Sequence, residues 1–249
     1  MEVNIQGAPI YFTIPLFGGI PITSTIVVTW VIMVVLTGVS IFLTRNLKVK
    51  DISRRQAVAE YLVTTAENFV IGNMGPQWTS FIPFVSALFA LSILSSLSSL
   101  LGVFAPTADV NMEIAWALLV FVLITYYKIK TGGIGGYAKS FTQPIFVLTP
   151  FNIISELATP ISMAFRHFGN IVSGYVIGTL IYAALAVLNR AVFGWLPGAV
   201  GEILGAIPIL GVGLPAVLGL YFDWFSSFMQ AFIFCMLTMM YIASAAETE

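Results

Sequence analysis

Long apolar runs constrain what this chain can fold into more than any other feature of its sequence. A helix needs about 20 mainly apolar residues to cross the hydrocarbon core of a bilayer. Of the 249 residues, 59% are hydrophobic and only 8% are charged. The sequence therefore predicts an all-α, multi-pass membrane protein that forms one domain over residues 1–249. We expect about five transmembrane helices, at residues 23–44, 81–101, 111–129, 153–188 and 201–246.

The last two runs are longer than a perpendicular span requires, so we expect these two helices to be tilted, kinked or partly on the membrane surface. In residues 51–71, apolar positions recur every three or four residues among charged ones. This spacing predicts an amphipathic helix at the cytoplasmic surface of the membrane. The glycine-rich residues 132–136 lack the lysine and the spacing of a phosphate-binding loop, and we expect a flexible linker there.

Basic residues predict the orientation in the membrane. Residues 45–55 follow the first apolar run and hold half of the ten Lys and Arg residues. Basic loops stay on the cytoplasmic side, so this segment is predicted to be cytoplasmic and the N-terminus external. Five spans then place the C-terminus in the cytoplasm. The first twenty residues lack the basic start of a cleavable signal peptide, which favours a true span for the first run.

Several classes of function are excluded by composition. Cys235 is the single cysteine and lies in an apolar run, so an internal disulfide and a cysteine-cluster metal site are not expected. We interpret Cys235 as a small buried apolar residue. The basic residues do not gather into one face, which argues against a nucleic-acid partner. No metal or cofactor site is predicted.

Arg166 is the one full-time charge in the apolar residues 160–188. A guanidinium keeps its proton, so at membrane depth it must face a polar partner or a water-filled cavity. Ser162, Gly169, Asn170 and Ser173 share one helical face with it, at spacings of three and four residues. This small, polar face suits the close approach of another helix. The alternative is a structural arginine that reaches the interface or pairs with a carbonyl group.

A second polar face is predicted in the last run. Asp223, Ser227 and Gln230 stand at i, i+4 and i+7, which places them on one side of an α-helix. Asp223 is the titratable group of this face. The alternative is that Asp223 lies at the outer headgroup level without a special role.

Three segments together resemble subunit a of the F-type ATP synthase, the stator subunit of its membrane sector. They are residues 106–111 (PTADVN), 165–170 (FRHFGN) and 230–234 (QAFIF), and the last is followed by Leu237-Thr238 and Tyr241-Ile242. The similarity covers nearly the whole chain, including the order of the spans. Each segment alone is weak, and their order makes the resemblance strong.

The resemblance implies that two aqueous half-channels couple the flow of H⁺ or Na⁺ to rotation of a ring of c subunits. The implied partners are this c ring, the b-subunit peripheral stalk, the remaining synthase subunits and membrane lipid. The subunit would not be catalytic alone, and the implied location is a bacterial plasma membrane. A stand-alone secondary transporter and a purely structural anchor are the alternatives, although no repeated half is visible in the sequence.

The resemblance also implies roles for individual residues. The indispensable arginine of the family matches Arg166, and Asn170 and Gln230 match polar positions near it. In one common family pattern an acid and a histidine occupy the positions of Tyr175 and Asp223. Here a tyrosine and an aspartate stand there, and a tyrosine more readily forms a hydrogen bond than titrates.

Glu113, Glu156 and His167 are secondary candidates. Either glutamate is a polar residue that lines the ion path, or it sits at an interface. His167 adjoins Arg166 but points about 100° away from it on a helix. We therefore favour packing or local hydrogen bonding over proton relay for His167.

Overall fold

The computed structural model describes residues 7–15, 19–193 and 217–247. Within these ranges a short β-hairpin precedes a set of helices. The strands are β1 (Ile10–Ile14) and β2 (Ile20–Thr23), and the helices are α1 (Ser24–Thr44), α2 (Arg54–Met74), α3 (Ile82–Leu97), α4 (Val110–Ser140), α5 (Thr149–Phe193) and α6 (Ser226–Ala246). Short 3-10 turns join them at Pro76–Phe81, Ser98–Leu101, Pro106–Ala108 and Phe146–Leu148, and a π-helical turn at Leu220–Phe225 leads into α6.

Five helical segments in the described ranges are long and apolar enough to cross a membrane. They are Ser24–Thr44, Pro76–Leu101, Val110–Ser140, Phe146–Phe193 and Ser226–Ala246. The prediction of an all-α, multi-pass membrane protein is confirmed. The residues predicted as the start of the last span, 201–216, lie outside the described part of the chain.

The N-terminal hairpin is the one element of the described fold that the apolar runs do not indicate. β1 pairs antiparallel with β2, with Ile14 opposite Ile20 and Thr13 opposite Pro21. β1 consists of β-branched and aromatic residues, which favour extended backbone. The backbone N–H of Ser24 donates to the carbonyl of Pro9 at 2.8 Å, and this bond holds the hairpin against the start of α1.

A helix was predicted at residues 51–71. The corresponding helix in the structure, α2, begins and ends three residues later, at Arg54 and Met74. Its start is set by Ser53, whose hydroxyl accepts a hydrogen bond from the backbone N–H of Gln56. The Gln56 amide also bonds both backbone groups of Lys48, at 2.7 and 2.9 Å. These bonds tie the preceding basic segment to the helix. Val70 and Met74 are buried, whereas most of the first half of α2 is exposed.

The core lies between α2, α3, α4 and α6. Its most buried side chains are Val70, Val85, Val120, Cys235, Met239 and Ile242. Cys235 packs as the small apolar residue that the sequence predicts. Helix α5 lies at the edge of this core, because Met163 and Ala164 are its core members and most of its other side chains are exposed or half-buried.

The flexible linker expected at residues 132–136 is wrong. Instead of a loop, α4 has a kink at Gly133, whose non-helical φ of 70° and ψ of 168° suit glycine, and a second helical stretch follows it to Ser140. The physical reason is tertiary packing. Lys128 and Tyr137 flank the glycines, and both contact Glu156 of α5. These contacts hold the segment helical despite its low helix propensity.

Helix α5 is longer at both ends than the predicted span of residues 153–188. Its 45 residues correspond to roughly 65–70 Å at 1.5 Å per residue, about twice the thickness of a hydrocarbon core. Pro160 lies inside the helix without ending it. Of the residues between the two last predicted spans, 189–193 are therefore helical, and residues 194–200 lie outside the described part of the chain.

Candidate functional site

Arg166 points away from the core on the exposed side of α5. The neighbouring positions Met163, Ala164 and His167 are buried, and they define the inner side of the helix at this level. Arg166 itself is exposed. Among the side chains that the structure describes, no carboxylate lies within ion-pair distance of its guanidinium. The one permanent charge of this apolar stretch is thus open to a partner from outside the chain.

The small, polar face predicted around Arg166 is open in the structure. Ser162 and Ser173 are exposed, and Gly169 is half-buried. A methyl group added at Gly169 or at Gly178 would meet no atom within 4 Å. Among the described helices, α6 contacts this face only at Arg166 and Asn170. The rest of the face is open, and a second helix can approach its backbone closely.

Gln230 of α6 lines the same cleft as Arg166. This narrow cleft lies between α5 and α6 and is also lined by Met163, His167, Ile233, Phe234 and Leu237. The cleft has no room for a water molecule. The Gln230 amide is therefore the polar group of α6 that the structure brings to the arginine.

Asn170 is held by α6 rather than by the arginine. Its side-chain amide donates a hydrogen bond to the hydroxyl of Ser226, the first residue of α6. Ser226 is not among the residues that the sequence predicts for the site. The signal available for it was its spacing, because Ser226 precedes Gln230 by one helical turn.

The side chains of Tyr175 and Asp223 lie outside the described part of the structure. The backbone of Asp223 belongs to the π-helical turn Leu220–Phe225. A π-helix has a different angular spacing from an α-helix, so the face predicted for Asp223, Ser227 and Gln230 assumed a geometry that this turn lacks. Ser227 is buried, whereas Gln230 is half-buried.

Glu113 and His167 form a buried contact between α4 and α5. The exposed fraction is 0% for the Glu113 side chain and 1% for the His167 side chain, and Oε2 of Glu113 lies 3.1 Å from Nδ1 of His167. The distance is that of an ion pair, but the two groups are not aligned for a hydrogen bond. Neither side chain has a hydrogen-bond partner elsewhere in the described structure. Trp116 and Phe234 flank the imidazole, with ring centroids at 6.3 and 6.0 Å. The sequence did not indicate this pairing.

Glu156 lies at another level of the structure. Its carboxylate contacts Lys128 Nζ at 2.7 and 2.8 Å and accepts a hydrogen bond from the Tyr137 hydroxyl at 3.4 Å. Ten residues of helix separate it from Arg166, which corresponds to roughly 15 Å. Of the two interpretations of Glu156, the geometry favours a bridge at the α4–α5 interface.

Comparison with known proteins settles the family. The family described as ATP synthase A chain matches residues 26–243. The chain belongs to this family. It is 36% identical to ATP synthase subunit a 1 of Prosthecochloris aestuarii, over 94% of each chain. It is also 33% identical to ATP synthase subunit a 2 of a Bradyrhizobium species, over 97% of each chain. It is 30% identical to ATP synthase subunit a of Desulforamulus reducens, over 90% of this chain and 80% of that one.

Membership of the ATP synthase A chain family defines the general role of the protein. It is a multi-pass, non-catalytic subunit of the membrane sector of an F-type ATP synthase, and it belongs to a complex with the other synthase subunits. No group of three or more potential metal-ligating side chains occurs in the described ranges.

The PTADVN segment of this family member joins three helices. Asp109 accepts hydrogen bonds from the backbone N–H and the side chain of Asn111, at 3.0 and 3.1 Å, and so caps α4. It also accepts a bond from the Thr25 hydroxyl of α1 at 2.8 Å. Thr107 is fully buried, and its hydroxyl accepts a hydrogen bond from the Ser96 hydroxyl of α3 at 3.1 Å. The segment thus has an architectural function that its composition alone did not reveal.

Proposed function

We propose that the chain is the ion-translocating stator subunit that couples ion flow through two half-channels to rotation of a c ring. One observation carries this proposal. Arg166 stands exposed on an open, small-residue face of a long α5, and no described carboxylate of the chain pairs with it. A permanent cation at membrane depth requires a polar or charged partner. A carboxylate on a passing rotor helix supplies one.

Arg166 acts on that rotor carboxylate by electrostatics. A nearby positive charge favours the ionised form of an acid, so a protonated or ion-loaded rotor site releases its ion as it reaches Arg166. Two opposite unit charges about 4 Å apart attract by about 4 kcal/mol at an effective dielectric constant of 20. An attraction of this size discharges the site yet still allows the ring to move on.

Arg166 also keeps the two half-channels apart. The cleft that it shares with Gln230 does not admit water, and the guanidinium repels cations. Ions must therefore cross this level on the rotor rather than between α5 and α6. Asn170 holds α5 against α6, and Gln230 orients the guanidinium. Tyr175 and Asp223 are the proposed polar residues of the ion path at other levels of the membrane.

The orientation proposed for the chain places its N-terminus outside and its C-terminus in the cytoplasm of a bacterium. The basic residues 45–55 follow the end of α1, and Lys128, Lys130 and Lys139 lie in the second half of α4. One span separates the N-terminus from residues 45–55, and three spans separate it from the end of α4. Both basic groups therefore lie on the side opposite the N-terminus. The positive-inside rule makes this side cytoplasmic.

Co-purification and ion pumping test the proposal. The tagged chain is purified in mild detergent and should carry a c ring, the b subunits and the catalytic sector. ATP-driven H⁺ or Na⁺ uptake is then measured in liposomes for the wild type, Arg166→Ala and the control Arg190→Ala, which changes an exposed arginine near the end of α5. The proposal predicts uptake with the wild type and the control and none with Arg166→Ala. A chain without partners, or full uptake with Arg166→Ala, contradicts it and favours an anchor.

A further inference from the structure

The Glu113–His167 contact is a buried pair of titratable side chains that the proposed mechanism does not use. Glu113 lies in the first turn of α4, and His167 is the residue that follows Arg166 in α5. Both are almost completely buried, and neither has another polar partner. A buried carboxyl group without a partner costs several kcal/mol, so an acid and an imidazole at these positions depend on each other.

The pair removes a competitor for Arg166. A carboxylate with a protonated imidazole and a carboxylic acid with a neutral imidazole have the same net charge, zero. In either form the pair presents no net negative charge at the turn of α5 that carries Arg166. Without His167, the buried Glu113 would either take up a proton and remain a polar group without a partner, or keep its charge and attract the arginine inward and away from the rotor.

The pair also fixes the rotation of α5 about its own axis. Successive helical residues point about 100° apart, so the direction of His167 determines that of Arg166. Few side chains of α5 are anchored in the core at this level, and Met163 and Ala164 are small or flexible. The imidazole between Trp116 and Phe234, in contact with Glu113, is the most specific anchor.

We propose that Glu113 and His167 are positioning residues, whose contact holds α5 in the rotation that presents Arg166 to the rotor and leaves no net charge on the buried Glu113–His167 pair. This inference rests on the proposed role of Arg166. The contact is closed to solvent, so we assign the two residues a positioning role rather than one in carrying the ion.

Paired substitutions test this inference in the assembled complex. The variants are Glu113→Gln, His167→Leu and the exchange Glu113→His with His167→Glu, and Arg166→Ala is the reference for loss of coupling. ATP-driven ion uptake is expressed per assembled complex, so reduced assembly does not count as reduced transport. We expect each single variant to lower uptake about 10- to 100-fold, as for sub-ångström to ångström misplacement of a reacting group. The exchange should restore uptake to within a few-fold of the wild type.

A disulfide trap reports the rotation of α5 directly. Asn170→Cys and Ser226→Cys replace two side chains that are in contact, in a Cys235→Ala background. Oxidation of membranes should give a high disulfide yield with the native pair, a several-fold lower yield with His167→Leu, and recovery with the exchange. This assay works in membranes even where the complex fails to assemble.

The outcomes separate the inference from the proposed function. Unchanged uptake per complex and unchanged disulfide yield in both single variants overturn the positioning role, even when Arg166→Ala abolishes uptake. Impaired single variants that the exchange does not restore overturn the pairing. Full uptake with Arg166→Ala overturns the proposed function itself.

Discussion

At the residue scale, some of the residues that the structure brings together could be predicted from the sequence and others could not. Arg166 and Gln230 were predicted, because a permanent charge or an amide in an apolar run needs a partner whatever the packing is. The Glu113–His167 contact was not predicted. It depends on the rotation of two helices that are distant in the sequence, and no local pattern encodes that rotation.

The Gln230 amide is expected to matter for coupling rather than for packing. Gln230→Leu keeps most of the side-chain volume but leaves Arg166 without the polar group of α6 that lines its cleft. We expect ion-driven ATP synthesis per complex to fall about tenfold, since a charge that loses a nearby polar group in a site without water loses on the order of 1 kcal/mol or more. The matched control is Leu237→Ile, a volume-conserving change in the same cleft. Equal rates for the two variants would count against the role of the amide.

At the element scale, helix α4 shows where local propensity misleads. The glycine cluster at residues 132–136 favours a loop by propensity, but the structure has only a kink at Gly133, and the helical stretches on both sides of it contact Glu156 of α5 through Lys128 and Tyr137. The apolar runs themselves were reliable, since a helix satisfies its own backbone hydrogen bonds in lipid. The hairpin of β1 and β2 was missed because its strands are short and exposed.

The bend of α4 predicts different effects for two neighbouring glycines. Gly133 has a φ of 70° and a ψ of 168°, a region that is nearly restricted to glycine and costs other residues about 1–3 kcal/mol. Gly133→Ala should therefore lower the thermal unfolding midpoint, measured by circular dichroism in detergent. Gly135 has no such conformation and no atom near its missing side chain, so Gly135→Ala should leave the midpoint unchanged or raise it. The reverse order of midpoints would show that the bend is not a source of strain.

The cap of α4 predicts a graded loss of stability. Asp109→Ala removes the N-cap of α4, worth about 0.5–2 kcal/mol, and also leaves the buried Thr25 hydroxyl without its acceptor. Thr25→Val removes the bond between α1 and α4 but keeps the cap. We expect a larger decrease of the unfolding midpoint for Asp109→Ala than for Thr25→Val. Indistinguishable midpoints would mean that the cap does not stabilise α4.

At the scale of the whole molecule, the order of helices was predicted well and the position of α5 was not. The apolar runs indicate the five candidate spans. The open face of α5 arises because this helix contributes only Met163 and Ala164 to a core that is otherwise built by α2, α3, α4 and α6. That arrangement depends on side-chain packing between helices, which no single run contains.

Orientation is a prediction about the whole molecule, and thiol labelling of intact cells checks it. In a Cys235→Ala background, a cysteine at Gly7 should react with a membrane-impermeant reagent added from outside. A cysteine at Val49, which is 97% exposed, should react only after the membrane is permeabilised. The opposite pattern would invert the proposed topology.

The central claim is that Arg166 couples ion flow to the synthase, and the most direct test is gradient-driven ATP synthesis in liposomes. Purified complexes with Arg166→Ala and with the control Arg190→Ala are compared at equal amounts of assembled enzyme and an equal imposed gradient. The claim predicts synthesis at the wild-type rate for Arg190→Ala and none for Arg166→Ala. Synthesis by assembled Arg166→Ala complexes at the rate of the control would contradict it.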